Sequence, residues 1–283
     1  MLKQQSSLPG QKNEIDTELA KQTTSKYLYI MCAGVSIKLV NDTVEKWNAS
    51  HPELPAVSTS AGSVELIRDC ISGKPCDVLI SADDAIIRNM MIPEYADGYR
   101  IWASNRIVVA GEDITSLNWE EKLLAEDATF QHSNPYDDPG GYRAVMAIML
   151  ADLYKPGLTY RLMNHPGYFG IKKTEGMSSS QNEAKYEFTY YTKAKLSSRN
   201  FAELPDIMAL SNPELTDKYA IVNFRLNDEI TVTAEPIAHA ITIPKAATHR
   251  KAAKELIKMF LAIDKTEVGF LPLEGVYGED PLY

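Results

Sequence analysis

The feature that most constrains this chain is the alternation of short apolar runs with segments of three- and four-residue apolar spacing. That order requires helices layered on sheet. Tyr27–Cys32 reads as a strand that runs into Ala33-Gly34, and a helix follows with Ile37, Val40, Val44 and Trp47 on one face. His51-Pro52 stops it, because proline disfavours a helical residue before it. Ala56–Ser60 is the next strand, and Ala61-Gly62-Ser63 opens a helix to about Ser72, with Gly73 placed to cap it. Cys76–Ile80 is the third strand, leading to a helix that carries Ile86, Ile87, Met90 and Met91. The pattern predicts an α/β fold with largely parallel sheets.

A chain of 283 residues exceeds what one hydrophobic core usually organises, so two lobes are expected. The apolar strand Ile107–Ala110 ends at Gly111, where a polar loop begins, and the first interlobe crossing is placed there. A short helix is expected around Asn118–Glu126, and Thr129–His132 leads to a glycine-rich segment. Gly141–Tyr154 is apolar on nearly every turn (Val145, Ile148, Met149, Leu150, Leu153), which predicts a buried helix. Residues 170–185 are polar and unassigned, and Tyr186–Thr192 reads as a strand. Ile237–Ile243 is an apolar strand stopped by Pro244, with an amphipathic helix over 247–263. A return of that strand to the first lobe gives lobe I as 26–109 and 238–283, with lobe II as 110–237. The hinge then lies at 108–112 and 236–241. Residues 1–25 read as a flexible leader, the kind of tether that remains after an export signal is removed.

The net charge of −9 argues against nucleic acid and means that any bound anion must be attracted locally. Cys32, Cys70 and Cys76 lack CxxC spacing, so buried thiols are expected in preference to a Cys70–Cys76 bridge or a zinc site. No apolar run is long enough to span a bilayer. The five histidines form no HExxH pattern, and GxSxG, P-loop and dinucleotide motifs are absent, which argues against an enzyme. His132, beside the glycine-rich segment, is read as a satisfied loop histidine.

Three strand–helix junctions carry small or hydroxyl residues: Gly34-Val35-Ser36, Gly62-Ser63 and Asp138-Pro139-Gly140-Gly141. Helix N-termini present unpaired N–H groups and a positive dipole end, and so hold oxyanions without lysine or arginine. Plain capping by Ser63 and Asp138 is the competing explanation. Asp137–Arg143 is harder to explain by capping alone. Pro139 suits a first helical position, yet each of the two following glycines costs about 1 kcal/mol relative to alanine. Either a ligand or a neighbouring strand must approach closely there.

Ser133-Asn134-Pro135-Tyr136-Asp137-Asp138-Pro139-Gly140-Gly141-Tyr142-Arg143 resembles the central motif of archaeal-type tungstate/molybdate-binding proteins of ABC importers. Met91–Tyr99, Asn105–Val109, Ala61–Val64, Asp77–Asp83, Ala202–Pro205, Ser211–Leu215 and Pro236–Pro244 extend the resemblance in order over about residues 27–265. It implies a two-lobed type II periplasmic-binding-protein fold with two interlobe crossings. It also implies a monomer outside the cytoplasm that delivers tungstate or molybdate to a membrane permease, with no cofactor. In that family, carboxylates ligate the metal centre of the oxyanion itself. A carboxylate about 4 Å from a dianion costs roughly 8 kcal/mol at an effective dielectric near 20. A sulfate or phosphate site tolerates that poorly, whereas a hexavalent molybdenum or tungsten centre accepts the oxygens as ligands.

The resemblance carries the first carboxylate to Asp138, with Pro139 and Gly140 beside it, an oxyanion donor to Ser63, and a strand tyrosine to Tyr190. The second carboxylate falls on Glu175, with Glu183 and Glu187 as competing candidates. The family's first segment reads Ala-Gly-Ser, and here it is Ala33-Gly34-Val35-Ser36. Either Ser36 supplies the hydroxyl, or the contact at Gly34 and Val35 is backbone only. The same fold binding sulfate, phosphate or an organic acid is the main alternative, followed by a sensor domain.

Overall fold

The computed structural model describes residues 25–170 and 184–283. The expected leader lies almost wholly outside them, and Glu175 and Glu183 lie outside altogether. The chain begins with β1 (Leu28–Ala33), a short 3-10 turn at Gly34–Ser36 and the helix Ile37–Ser50. Then come β2 (Ala56–Ala61), the helix Ser63–Ile71, β3 (Val78–Ser81), the helix Asp84–Met90 and β4 (Gly98–Ser104). Next are β5 (Ile107–Gly111), β6 (Phe130–Gln131), the helix Pro139–Met149, β7 (Tyr186–Tyr190), the helix Tyr191–Leu196 and β8 (Phe201–Glu203). A hairpin of β9 (Asn223–Arg225) and β10 (Thr231–Thr233) precedes β11 (Ala238–Thr242), the helix Arg250–Leu261 and β12 (Gly275–Gly278).

One sheet runs β12-β4-β11-β3-β1-β2, and a second runs β6-β7-β5-β8. The near-continuous apolar run of β1 follows from burial of both its faces. Ile30 and Cys32 point into a core with Leu39, Trp47 and Phe260, whereas Met31 and Ala33 meet Val64, Ile67 and Ile86. Burying Leu39 or Phe260 stabilises by about 1.5–3 kcal/mol each. Gly73 ends the helix Ser63–Ile71 at φ 95°, a left-handed conformation that glycine adopts without strain.

β1, β2 and β3 are parallel, as are β6 and β7, but the other pairings depart from the expectation of largely parallel sheets. β11 is antiparallel to β3 and β4, and β5 is antiparallel to β7 and β8. β4 passes to β5 through only Asn105 and Arg106. That short link moves the change of sheet relative to the expected first crossing. Ile107–Gly111 belongs to the second sheet, so the chain changes sheet at 105–106 and not at 108–112. The polar loop after Gly111 follows the end of β5. The return falls between Thr233 and Ala238, beside the first crossing, where the Ser104 hydroxyl donates to the Ile237 carbonyl at 2.7 Å.

Two elements are shorter than the sequence suggested. The helix predicted over 141–154 breaks after Met149 and resumes as Ala151–Tyr154, and the strand predicted over 186–192 yields to helix at Tyr191. All three cysteines are free thiols, and burial pushes the Cys32 thiol up to about 12.

Candidate functional site

A cavity of about 530 Å³ opens between the two sheets, at the carboxyl ends of β1, β2 and β3. Ligands collect at this place in open α/β sheets because helix N-termini converge there. Its first wall is Ala33, Gly34 and Val35 after β1, Ala61 and Gly62 after β2, and Ala82 after β3. The opposite wall holds Ser133, Asp138 and Gly140 at the start of the helix Pro139–Met149, with Thr189 and Tyr190 at the end of β7. Lys193, Leu196 and Ser197 continue that wall.

Asp138 caps its helix: one carboxylate oxygen accepts from the Gly140 N–H at 3.1 Å. The carboxylate sits at the cavity wall, and its other oxygen accepts no hydrogen bond among the described residues. The two glycines after Pro139 have different reasons. A Cβ on Gly141 would overlap the backbone of Ser133 and Pro135, so packing of the preceding loop excludes it. A Cβ on Gly140 would instead come within 3.2 Å of Asp138 Oδ2 and 3.4 Å of Tyr190, on the cavity side. At Gly34 nothing lies within 4 Å of such a Cβ, so its open space belongs to the cavity and not to packing.

Tyr190 is buried, and its hydroxyl points at the Ala82 carbonyl at 3.4 Å. Burial, then the charges of Asp83 and Asp138, push its phenol well above the usual range, which keeps it a neutral donor. Gly34, Val35, Asp138, Gly140 and Tyr190 thus share one cavity. Pro139 is buried at the first helical position, behind the wall. Ser63 is also buried behind it; Gly62 is the cap of that helix, and the Ser63 hydroxyl accepts from the Ala82 N–H at 2.9 Å. The N–H groups of Val64 and Glu65 already point at the Asp137 carbonyl across the cleft, at 3.1 and 3.4 Å. Ser36 is wholly buried, and its Oγ has no hydrogen-bond partner among the described residues.

Glu187 is not on this cavity. It lines a different one, and its carboxylate is held by Lys193 at 2.8 Å and Arg199 at 2.6 Å. Burial opposes its charge, but the two cations win and hold it below the usual carboxylate range. His132 is satisfied, between the Ser133 carbonyl at 2.7 Å and the Tyr168 hydroxyl at 2.9 Å.

Thr189, Ser133 and Lys193 carry no local sequence signal for a role here, and neither does a charge cluster behind the wall. Asp83, Asp84 and Glu235 bring carboxylate oxygens within 4.8 Å of one another. Such a trio suits a cation, but arginines already occupy it: Arg143 on Asp83 at 2.6 Å and Arg88 on Glu235 at 2.6 Å. The available signal was Arg143 itself, because a cation in an otherwise apolar buried helix must find a counter-charge.

Residues 28–263 match the family described as bacterial extracellular solute-binding protein. An uncharacterised solute-binding protein of Methanococcus aeolicus is 30% identical, covering 87% of this chain and 81% of its own. The molybdate/tungstate-binding protein WtpA of Pyrococcus abyssi is 29% identical, covering 87% of this chain and 83% of its own. Among solved structures, the periplasmic molybdate-binding protein of Azotobacter vinelandii superposes with a TM-score of 0.61 at 14% identity, over 87% of this chain and 99% of that one. The sulfate-binding protein SubI of Mycobacterium tuberculosis gives 0.54 at 14% identity, over 88% of each chain. These two share the type II fold, and all four are binding proteins by name.

Proposed function

The chain belongs to the family of bacterial extracellular solute-binding proteins, and on that premise we propose that it captures tungstate or molybdate and delivers it to the membrane permease of an ABC importer. The observation that carries this reading is Asp138, a carboxylate on the wall of a cavity formed at helix and strand ends. Lys193, the cation on that wall, is already paired with Glu187. Beside sulfate or phosphate, Asp138 is repulsive; beside a hexavalent metal centre it is a ligand. Backbone N–H groups at Gly34 and Val35 supply donors to the oxo oxygens, and the Gly140 N–H and the Tyr190 hydroxyl join them by turning from Asp138 and the Ala82 carbonyl. Glu175 is the second carboxylate in this reading. The two sheets form the two lobes, hinged at 105–106 and 234–237, and the protein acts as a monomer outside the cytoplasm. No helix among the described residues is long and apolar enough to cross a membrane.

A second reading rests on the size of the cavity. About 530 Å³ is in the range of sites for small organic ligands, and Val35, Ile37 and Leu196 add apolar surface. An organic acid would place its carboxylate among the donors and its body against these side chains. Calorimetric titration with tungstate, molybdate, sulfate, phosphate and a panel of small carboxylates separates the two. Submicromolar binding restricted to tungstate and molybdate supports the first reading; binding only of carboxylates, sulfate or phosphate overturns it.

A further inference from the structure

The Asp83 carboxylate is saturated. Oδ1 accepts from the Ala85 N–H at 3.1 Å and Arg143 Nη2 at 2.9 Å, while Oδ2 accepts from the Tyr142 hydroxyl at 2.7 Å and Arg143 Nε at 2.6 Å. Both charged side chains are 0% exposed. The two come from opposite sides of the cleft. Asp83 caps the helix that follows β3 of the six-stranded sheet, whereas Arg143 and Tyr142 lie on the helix that packs against β5 and β7 of the four-stranded sheet. Arg143 also reaches the second crossing, where Nη1 donates to the Glu235 carbonyl at 3.1 Å.

A fork-to-fork pair of this kind fixes direction as well as distance, so one relative placement of the two sheets satisfies it. Replacing a buried ion pair by apolar groups is often neutral for stability, but removing one partner strands a charge away from water. The penalty falls on the closed arrangement alone, because lobes that part let both groups hydrate. Arg143 lies one turn beyond Gly140 on the helix whose cap is Asp138, so the same pair sets where that cap sits over the cavity.

We propose that Asp83 and Arg143 form an interlobe latch that positions Asp138 and Gly140 over the cavity and sets ligand affinity without touching the ligand. The affinity part rests on the tungstate reading; the latch itself does not. A ligand that binds only the closed arrangement loses apparent affinity in proportion to the closed fraction, so D83N should raise the tungstate dissociation constant about tenfold or more. R143M should do the same, and the double variant should be no worse than the weaker single, because no charge is then stranded. Y142F removes one hydrogen bond and should weaken binding about threefold, which keeps the test open if a charge variant fails to fold.

Small-angle scattering of the full chain during tungstate titration, with circular dichroism to check folding, is the experiment. A shift of the compaction midpoint to higher tungstate in the single variants, with non-additivity in the double, is the expected result. Midpoints unchanged from the parent, or losses that simply add, overturn the latch. If the parent binds no tungstate, the ligand reading fails, and scattering without ligand decides the latch: D83N more extended than the parent supports it, and equal dimensions overturn it.

Discussion

Gly62 lies against the backbone of Asp137 with no room for one added carbon: a Cβ on residue 62 would overlap the Asp137 carbonyl. The two residues come from opposite sides of the cleft, and the same carbonyl accepts from the Val64 N–H. Contact between them therefore requires the two sides of the cleft to lie as close as they do here.

G62A should hold the cleft open while the chain still folds. The backbone at residue 62, φ −63° and ψ 139°, is open to any residue, so the damage is confined to the contact with Asp137. Tungstate affinity should fall about tenfold or more through the smaller closed fraction. The melting temperature without ligand should change little. Scattering and calorimetry check this; undiminished affinity would show that the contact is dispensable.

Two substitutions at Asp138 separate its roles. D138N keeps an acceptor for the Gly140 N–H, whereas D138A also loses the helix cap, which costs about 1 kcal/mol. Both should abolish tight tungstate binding, and only D138A should lower the denaturation midpoint. Tungstate affinity retained in D138N would reject the carboxylate as a ligand.

Ser36 buries a hydroxyl with no partner among the described residues. Leaving such a group unpaired costs about 1–3 kcal/mol, so S36A should stabilise the ligand-free protein by about 1 kcal/mol. If the hydroxyl turns to the oxyanion on binding, tungstate should lose affinity in the same variant. Thermal melts with and without tungstate read both effects, and an unchanged ligand-induced shift would remove Ser36 from the site.

Asp84 supplies a pH dependence. Burial first, then the neighbouring charge of Asp83, pushes its carboxyl up to about 6. Its protonated form is favoured in the folded protein, so this contribution to stability is fully present below about pH 4 and is lost as pH rises through about 6. Asparagine keeps an acceptor for the Tyr99 hydroxyl, which now donates to Asp84 at 2.7 Å. D84N should therefore stabilise the protein at pH 8 by on the order of 2 kcal/mol and give no gain near pH 4. Urea denaturation at the two pH values checks it; a gain that does not change with pH would contradict the cause given.

The parallel strands β1, β2 and β3 and their helices were legible because strand and helix periods are local, and both faces of β1 and β3 are buried. β4 was not assigned as a strand. Arg100 interrupts its apolar run, and its justification is Asp280, 2.6 Å away but 180 residues along the chain. The three-residue strands β8, β9 and β10 are too short to show a period at all.

For the site, the glycine and aspartate chemistry of the cavity wall is already written in the order of residues. Capping and helix-start signals are written within a few residues of one another, and Asp138, Gly140 and Gly34 carry them. Which hydroxyls face the cavity depends on how the chain folds. Ser63 is turned to Ala82, and Thr189 lies on the wall instead. The fold alone decided that Gly141 makes room for a loop while Gly140 faces the cavity, and that Arg143 meets Asp83. The reason is one of range. A cap or a period is satisfied by covalent neighbours, whereas the partner of a buried charge can be any residue the fold brings close. For Arg143 that partner is 60 residues away, on the other side of the cleft.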